Sequence, residues 1–384
     1  MNYQLITQAG QLAQLCDELG NTPLAIDTEF VRTRTYFPQL GLFQLFDGKQ
    51  LALIDPVAIG DLSCLWQLLQ QPGRITVLHA GSEDLELIHH ESGAMPSHVH
   101  DTQLAAAFTG SGLSVGFNAM TQALLDITLD KDQARTNWLA RPLTDKQLHY
   151  AAADVFYLLP IYHKLLEKLQ QQGRMAWFEE ECAALVQRKR PQSLSEQAYK
   201  DIGNAWQLGC QELAVLQRLA MWREGEARRR DLALNFVVKE LHLFKCAERM
   251  PKSLRDLEQL GLLQPEIRNH GKTILRLIEE SLSSDPATWP PRLQRLVDFP
   301  HYKSELKRLR AKVEAVAHAH GLPVELLASK KTIHQYLSWL WKCADEQKQD
   351  GQMPRLLTGW RHELLGDLTQ LWPASACERE RVKE

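Results

Sequence analysis

The chain has 384 residues, 44% hydrophobic and 24% charged, a length that calls for two or three domains and a composition that excludes intrinsic disorder. Its seven cysteines form no CxxC pair and no apolar run approaches the ~18 residues of a membrane span, which argues against a disulfide framework, a structural zinc site and a transmembrane segment. The net charge of −3 averages two unlike halves: 14 basic and 21 acidic residues give −7 over 1–190, and 30 against 26 give +4 over 191–384. Together with an N-terminus lacking a basic start, these features predict a cytoplasmic protein.

The stretch "PLAIDTEF" reads as a strand ending in Asp27 and Glu29. "LGLFQLFDGKQLALID" then alternates into two apolar runs around Asp47-Gly48, a hairpin turn signal, so three antiparallel strands are expected to open the chain. A helix around Leu62 to Leu69 leads to the strand "ITVLHA" and to "GSEDLELIHH", where Ser82 is the expected N-cap. At residue 144 the pattern Thr144-x-x-Gln147 is a capping box opening a helix to about Gln172, which Pro160 is expected to kink or divide. "QRKRPQSLSEQ", residues 187–197, reads as a linker.

Beyond it helical periodicity dominates. "RDLALNFVVKELHLFKCA" followed by "MPKSLRDL" resembles "HGLPVELLASKKTIHQYL" followed by "MPRLLTGW", which predicts two related helical domains. The expected organisation is an α/β domain over 1–190 and two small all-α domains over 200–285 and 295–373.

Residues i and i+2 of a strand share a face, so Asp27 and Glu29 project side by side and call for a cation. Asp84 falls in the first turn of a helix directly after a strand, a position that favours a carboxylate. Tyr150 and Asp154 lie one turn apart on the capped helix. Converging, the four carboxylates would make an oxygen-only site for Mg²⁺ or Mn²⁺, and a pair of such ions catalyses phosphodiester hydrolysis. Singly, each carboxylate also reads as an ordinary helix-start, strand-end or surface charge.

"AIDTEF", "HAGSEDLE" and "YAAADV", in this order, resemble the three motifs of the DEDD exonuclease superfamily in its tyrosine-bearing branch. With "RTNWLARPLTDKQLHYAAADVFYLLP" and "NAWQL", the likeness is to the ribonuclease D family and covers nearly the whole chain. The resemblance implies a ribonuclease H-like mixed sheet followed by two HRDC-type helical domains, the second divergent. It implies a 3′-to-5′ exoribonuclease that trims structured RNAs such as tRNA precursors and releases nucleoside 5′-monophosphates, with two divalent ions per site. Asp27, Glu29 and Asp154 would hold the ion that binds the attacking water, and Asp27 with Asp84 the leaving-group ion. Tyr150 would orient the water and assist its deprotonation. A DNA-directed exonuclease and an RNA-binding scaffold with a non-catalytic acidic core remain the alternatives.

Other signals are weaker. His89, His90, His98, His100 and Asp101 lack zinc-site spacing, and Asp101 reads as a helix N-cap or as a partner of the neighbouring motif. Arg223, Arg228, Arg229 and Arg230 are candidate RNA contacts, with pairing to Glu224 and Glu226 an equal alternative. Tryptophans 206, 222, 339, 341, 360 and 372 recur among leucines and are expected in the core.

Overall fold

The computed structural model describes residues 1–129, 136–190, 196–341 and 353–370. The N-terminal part comprises β1 (Gln4–Ile6), α1 (Ala9–Glu18), β2 (Leu24–Val31), β3 (Gln39–Phe46), β4 (Leu51–Ile54), α2 (Pro56–Ile59), α3 (Ser63–Leu69), β5 (Ile75–Leu78), α4 (Ser82–Ser92), β6 (His98–Asp101), α5 (Thr102–Phe108), α6 (Phe117–Leu125), α7 (Asp145–Gln171) and α8 (Met175–Lys189). The six strands form one mixed sheet in the order β1-β4-β3-β2-β5-β6. The expected hairpin joins β3 to antiparallel β4. Asp47 accepts from the amides of Lys49 and Gln50 at 2.8 and 2.7 Å, and Gly48 takes φ 95°, the left-handed region glycine occupies without strain.

The opening of the chain differs from expectation. A short strand, β1, precedes the others and runs parallel to β4, and β2 pairs in parallel with β5, which in turn runs parallel to β6. Three residues carry too little alternation for β1 to be read from sequence. Ser82 is also not a cap: it is the first residue of α4, and Gly81 stands at the N-cap without a side-chain bond. A Cβ on Gly81 would meet the Leu78 side chain at 2.7 Å, so the turn from β5 into α4 admits no side chain there.

The capping box at Thr144 is formed, with Gln147 N–H donating to Thr144 Oγ1 at 3.3 Å and Thr144 N–H to Gln147 Oε1 at 3.0 Å. Pro160 does not divide α7, which runs unbroken for 27 residues. The proline removes one backbone donor, but Leu158, Leu159, Ile161 and Tyr162 are buried around it and packing carries the helix through. Residues 187–189 of the expected linker belong to α8, and 191–195 lie outside the described residues.

The helical part comprises α9 (Cys210–Arg230), α10 (Leu234–Val237), α11 (Glu240–Arg249), α12 (Leu254–Gln259), α13 (Gln264–Leu282), α14 (Tyr302–Ala319), α15 (Val324–Leu327), α16 (Lys330–Trp341) and α17 (Gly359–Leu365). The two resembling segments follow the same backbone course. Asp231 and Gly321 end the long helices at φ 48° and 58°. Leu232 N–H and Leu322 N–H each reach back five residues at 2.9 Å, and a four-residue helix follows in both.

The chain divides into two compact units. One holds Val31–Gln39 with Pro191–Asp298. In it the Asp231 carboxylate accepts from the amides of Tyr36 and Phe37 at 3.0 and 2.9 Å. The other holds the described residues of Met1–Phe30, of Leu40–Arg190 and from Phe299 onward. In this second unit, Glu181 on α8 is buried among Arg355, Arg361 and Arg188. Burial pushes its carboxyl up, but Arg361 and Arg355 outweigh that and hold it at about 2. Trp360 lies against Phe108 and Trp177, with ring centroids 5.1 and 5.9 Å apart.

Of the tryptophans expected in the core, Trp360 is fully buried, while Trp222, Trp339 and Trp341 are half-buried. Trp206 is a correction: it is 41% exposed, and the Arg295 guanidinium sits 3.7 Å from its ring centroid. Trp372 lies outside the described residues.

Candidate active site

Strand β2 runs past the end of its ladder with β5, where Leu24 and Ala25 pair with Thr76 and Val77. Asp27 and Glu29 therefore project beyond the C-terminal end of that parallel pair, where α/β sheets commonly hold their ligands. Asp154 comes to them from α7. One carboxylate oxygen from each of Asp27, Glu29 and Asp154 lies within 4.8 Å of the others. Asp84 does not belong to that triplet; it sits in the first turn of α4 and is buried. The Thr28 hydroxyl, between the two acids of β2, donates to its Oδ1.

Like charges this close, half-buried, hold their protons tightly. Burial, and then Asp84, Asp154 and Glu29, push Asp27 far above the carboxylate range. Burial with Asp154 and Asp84 raises Glu29 to about 9. Burial raises Asp154 to about 7 against the phenol of Tyr150, which lowers it, and raises Asp84 to about 6 against its bond from Thr28. Burial and the carboxylates of Asp154, Glu29 and Asp27 push the Tyr150 phenol well above its ordinary value, the state of a donor. A divalent cation fits this set: the donors are all hard carboxylate oxygens, and its charge would replace the protons they otherwise retain.

Several residues hold the site in shape. Asp101 caps α5, accepting from Gln103 N–H at 2.8 Å and Leu104 N–H at 3.3 Å. It also accepts from Ala80 N–H at 3.2 Å and Gly81 N–H at 2.9 Å. Both roles foreseen for it are thus combined, and it fixes the turn that delivers Asp84. Of the histidines near it, His100 is buried and bonds through Nδ1 to the Tyr162 hydroxyl at 2.8 Å.

Thr28 and the segment 136–142 lie within motifs quoted for the family resemblance, but no role was assigned to them from sequence. In that segment Arg141 grips Asp55 through Nε and Nη2 at 2.7 and 2.6 Å and Gly41 O at 2.7 Å. The ring of buried Trp138 lies 6.3 Å from that of Tyr150. The signals available were the position of Thr28 between two predicted ligands and the place of residues 136–142 in the quoted motif.

The site opens into a cavity of about 580 Å³ lined by Asp27, Tyr150 and Asp154 and also by Phe117, His79 and Leu158.

In the arginine cluster Arg223 departs from expectation, while Arg228, Arg229 and Arg230 make the glutamate pairings expected as the alternative to RNA contacts. Arg223 is 7% exposed and donates to Val238 O at 3.3 Å, so it is a core residue and not a phosphate contact. It falls on the buried stripe of α9 with Leu216, Leu219, Ala220 and Ala227, a spacing that adjacency to residues 228–230 conceals. Arg228 pairs with Glu224 and lies over the Tyr36 ring, while Arg229 and Arg230 share Glu226 at 2.8 and 3.6 Å.

Residues 3–170 match a family model described as 3'-5' exonuclease, residues 212–278 one described as HRDC domain, and residues 300–368 one described as Ribonuclease D, C-terminal HRDC domain. Ribonuclease D of Musicola paradisiaca (strain Ech703) is 48% identical, over 96% of this chain and 97% of that one. Ribonuclease D of Escherichia coli (strain K12) is 47% identical, over 96% and 97%. The chain belongs to the ribonuclease D family. A crystal structure of Escherichia coli RNase D, described as an exoribonuclease involved in structured RNA processing, matches with a TM-score of 0.92 at 46% identity, covering 97% of this chain and 100% of that chain. As a member of the ribonuclease D family, the protein is a metal-dependent 3′-to-5′ exoribonuclease with a mixed-sheet nuclease domain and helical HRDC domains.

Proposed function

We propose that the enzyme trims 3′ extensions from structured RNAs, tRNA precursors among them, in the cytoplasm, and releases nucleoside 5′-monophosphates. The supporting observation is the convergence of Asp27, Glu29 and Asp154 within 4.8 Å at the strand ends, in a chain 46% identical to an exoribonuclease described as processing structured RNA. In this reading Asp27, Glu29 and Asp154 hold one Mg²⁺ or Mn²⁺ ion, and Asp27 and Asp84 a second. Such ions supply acidification of water and offset of charge at the departing 3′ oxygen. Tyr150 donates its hydroxyl to orient the attacking water, Thr28 fixes Asp84, and Asp101 fixes the turn before it.

The reading assigns chemistry to residues 1–190 and selection of RNA to the helical domains, 200–285 and 295–373. Arg228, Arg229 and Arg230 contribute phosphate contacts only by exchanging Glu224 and Glu226 for RNA, which makes their share small. The test is incubation of the purified chain with a 3′-extended tRNA-like RNA in Mg²⁺ or Mn²⁺, with and without a chelator. Stepwise shortening to 5′-monophosphates, abolished by the chelator, is expected. Cleavage of a circular RNA, or indifference to chelation, would overturn the reading.

A further inference from the structure

Away from the catalytic cavity, the junction between α8 and the end of the chain gathers more positive charge than it neutralises. Buried Glu181 meets three guanidiniums that arrive from three places. Arg355, on the short turn Arg355–Leu357, donates through Nη2 to both carboxylate oxygens at 2.7 and 2.6 Å. Arg361, on α17, donates through Nη1 at 2.7 Å, and Arg188, two turns beyond Glu181 on α8, approaches Oε1 through Nη1 at 3.5 Å. Three cations against one carboxylate leave two positive charges unmatched, and no second carboxylate pairs with any of the three among the described residues. Glu180 accepts from Trp360 N–H at 3.1 Å, and Glu86 is drawn to Lys189 at 3.8 Å. The surplus is felt inside the cluster. Burial and then the Arg355 charge hold the Arg188 guanidinium below its ordinary value.

The three arginines differ in what they have left to give. Arg361 is buried and spends its other nitrogens on the carbonyls of Leu326 and Leu327 at 2.9 and 3.0 Å. Arg188 and Arg355 keep 44% and 33% of their side chains exposed. Nε and Nη2 of Arg188 and Nε and Nη1 of Arg355 have no acceptor among the described residues. Both side chains reach Glu181 Oε1, so one small ligand lies within range of both. We propose that Arg188 and Arg355 bind a phosphate group, which supplies the charge this junction lacks and ties α8 to the C-terminal segment. Guanidinium forks match phosphate oxygens. A tetrahedral oxyanion offers acceptors to two forks from different elements, where a carboxylate presents a single plane. A phosphate monoester carries up to two negative charges at neutral pH, the number left unmatched. Two sources share this chemistry, the backbone of bound RNA and free phosphate or a nucleoside 5′-monophosphate.

The test is calorimetric titration of inorganic phosphate into the full chain at constant ionic strength, in chelator so that no ion at the catalytic carboxylates recruits the ligand. The comparison is Arg188→Gln, which removes the loosest contact to Glu181 and leaves Arg355 and Arg361 on it. The unaltered chain should bind phosphate saturably and gain several degrees in Tm. Arg188→Gln should bind about tenfold or more weakly, with Arg188→Lys between the two because it keeps the charge and loses the fork. Comparing chains in the same buffer also cancels the general stabilisation that phosphate confers by exclusion from protein surfaces. No saturable binding by the unaltered chain, or equal affinity in Arg188→Gln, overturns the proposal. The affinity of a short oligoribonucleotide in chelator then identifies the source. If Arg188→Gln weakens RNA binding together with phosphate binding, the site holds the RNA backbone, and if RNA binding is unchanged while phosphate binding is lost, it holds free phosphate.

Discussion

Thr28 and Asp84, 56 residues apart in sequence, are joined by a buried hydrogen bond from hydroxyl to carboxylate. The residue between two candidate ligands on one face of β2 thus holds the fourth from the other face. Thr28→Val keeps the shape and removes the donor, so Asp84 loses its orientation. Outer partners of metal ligands carry about 10–100-fold in metal affinity or activity. The expected result is a rise of that order in the Mg²⁺ concentration for half-maximal rate, with Thr28→Ser near normal.

The acidic cluster also makes the metal-free protein sensitive to pH. Glu29 and Asp154 titrate near 9 and 7 when folded, against ordinary values of 4.5 and 3.8. Between those limits the folded state binds more protons than the unfolded, so stability falls as pH rises. In chelator, Tm should drop from pH 6 to pH 9, and Mg²⁺ should reverse most of the drop. Asp154→Asn or Asp27→Asn should flatten the chelator profile while abolishing turnover. A profile in chelator that is flat for the unaltered chain would contradict the assigned repulsion.

Tyr150→Phe removes a hydroxyl and keeps the ring against Trp138. Proton-handling groups of this kind are worth about 10²–10⁴-fold in rate. Single-turnover cleavage at saturating RNA should fall by about a hundredfold or more, with RNA affinity changed less than about threefold. Loss of affinity at normal single-turnover rate would assign the residue to binding instead.

Arg361→Ala should destabilise the unit that contains the nuclease. Arg361 donates to Glu181 at 2.7 Å and to the carbonyls of Leu326 and Leu327 at 2.9 and 3.0 Å. Removing one partner of a buried pair costs about 3–5 kcal/mol, and the low end applies because Arg355 still holds Glu181 at 2.6 Å. Urea denaturation at neutral pH should show the loss. The Glu181 contribution is complete above its ordinary 4.5 and disappears as pH falls through about 2. A fragment of residues 1–190, lacking Arg355, Trp360 and Arg361, is expected to be less stable than the full chain for the same reason.

What could be read from sequence follows the range over which each feature is determined. Asp27, Glu29, Asp84, Tyr150 and Asp154 sit in local patterns, strand alternation, a helix start and a helical repeat of four, so their placement was visible residue by residue. The hairpin at Asp47-Gly48 and the cap at Thr144 are equally local. Pro160 misled because tertiary packing overrides one lost backbone bond. Arg223 misled because adjacency in sequence is not adjacency on a helix surface. The attachment of residues 299 onward to the nuclease unit was invisible, since it rests on pairings between α8 and residues some 180 positions away that no local window contains.

That attachment bears on the order of assembly. The unit built on the catalytic sheet is interrupted by Pro191–Asp298, which belongs mainly to itself, so its last pieces leave the ribosome after the whole intervening body. Joining Glu181 to Arg361 closes a loop of 180 residues, and the entropic cost of closure rises with the logarithm of the flexible length. If the interrupting body folds while the remainder is being made, fewer residues lose their freedom at closure, which becomes cheaper. Sequential synthesis and nested topology therefore work in the same direction: both favour completing the unit that bears the carboxylates late, through the pairings that α17 makes with α8.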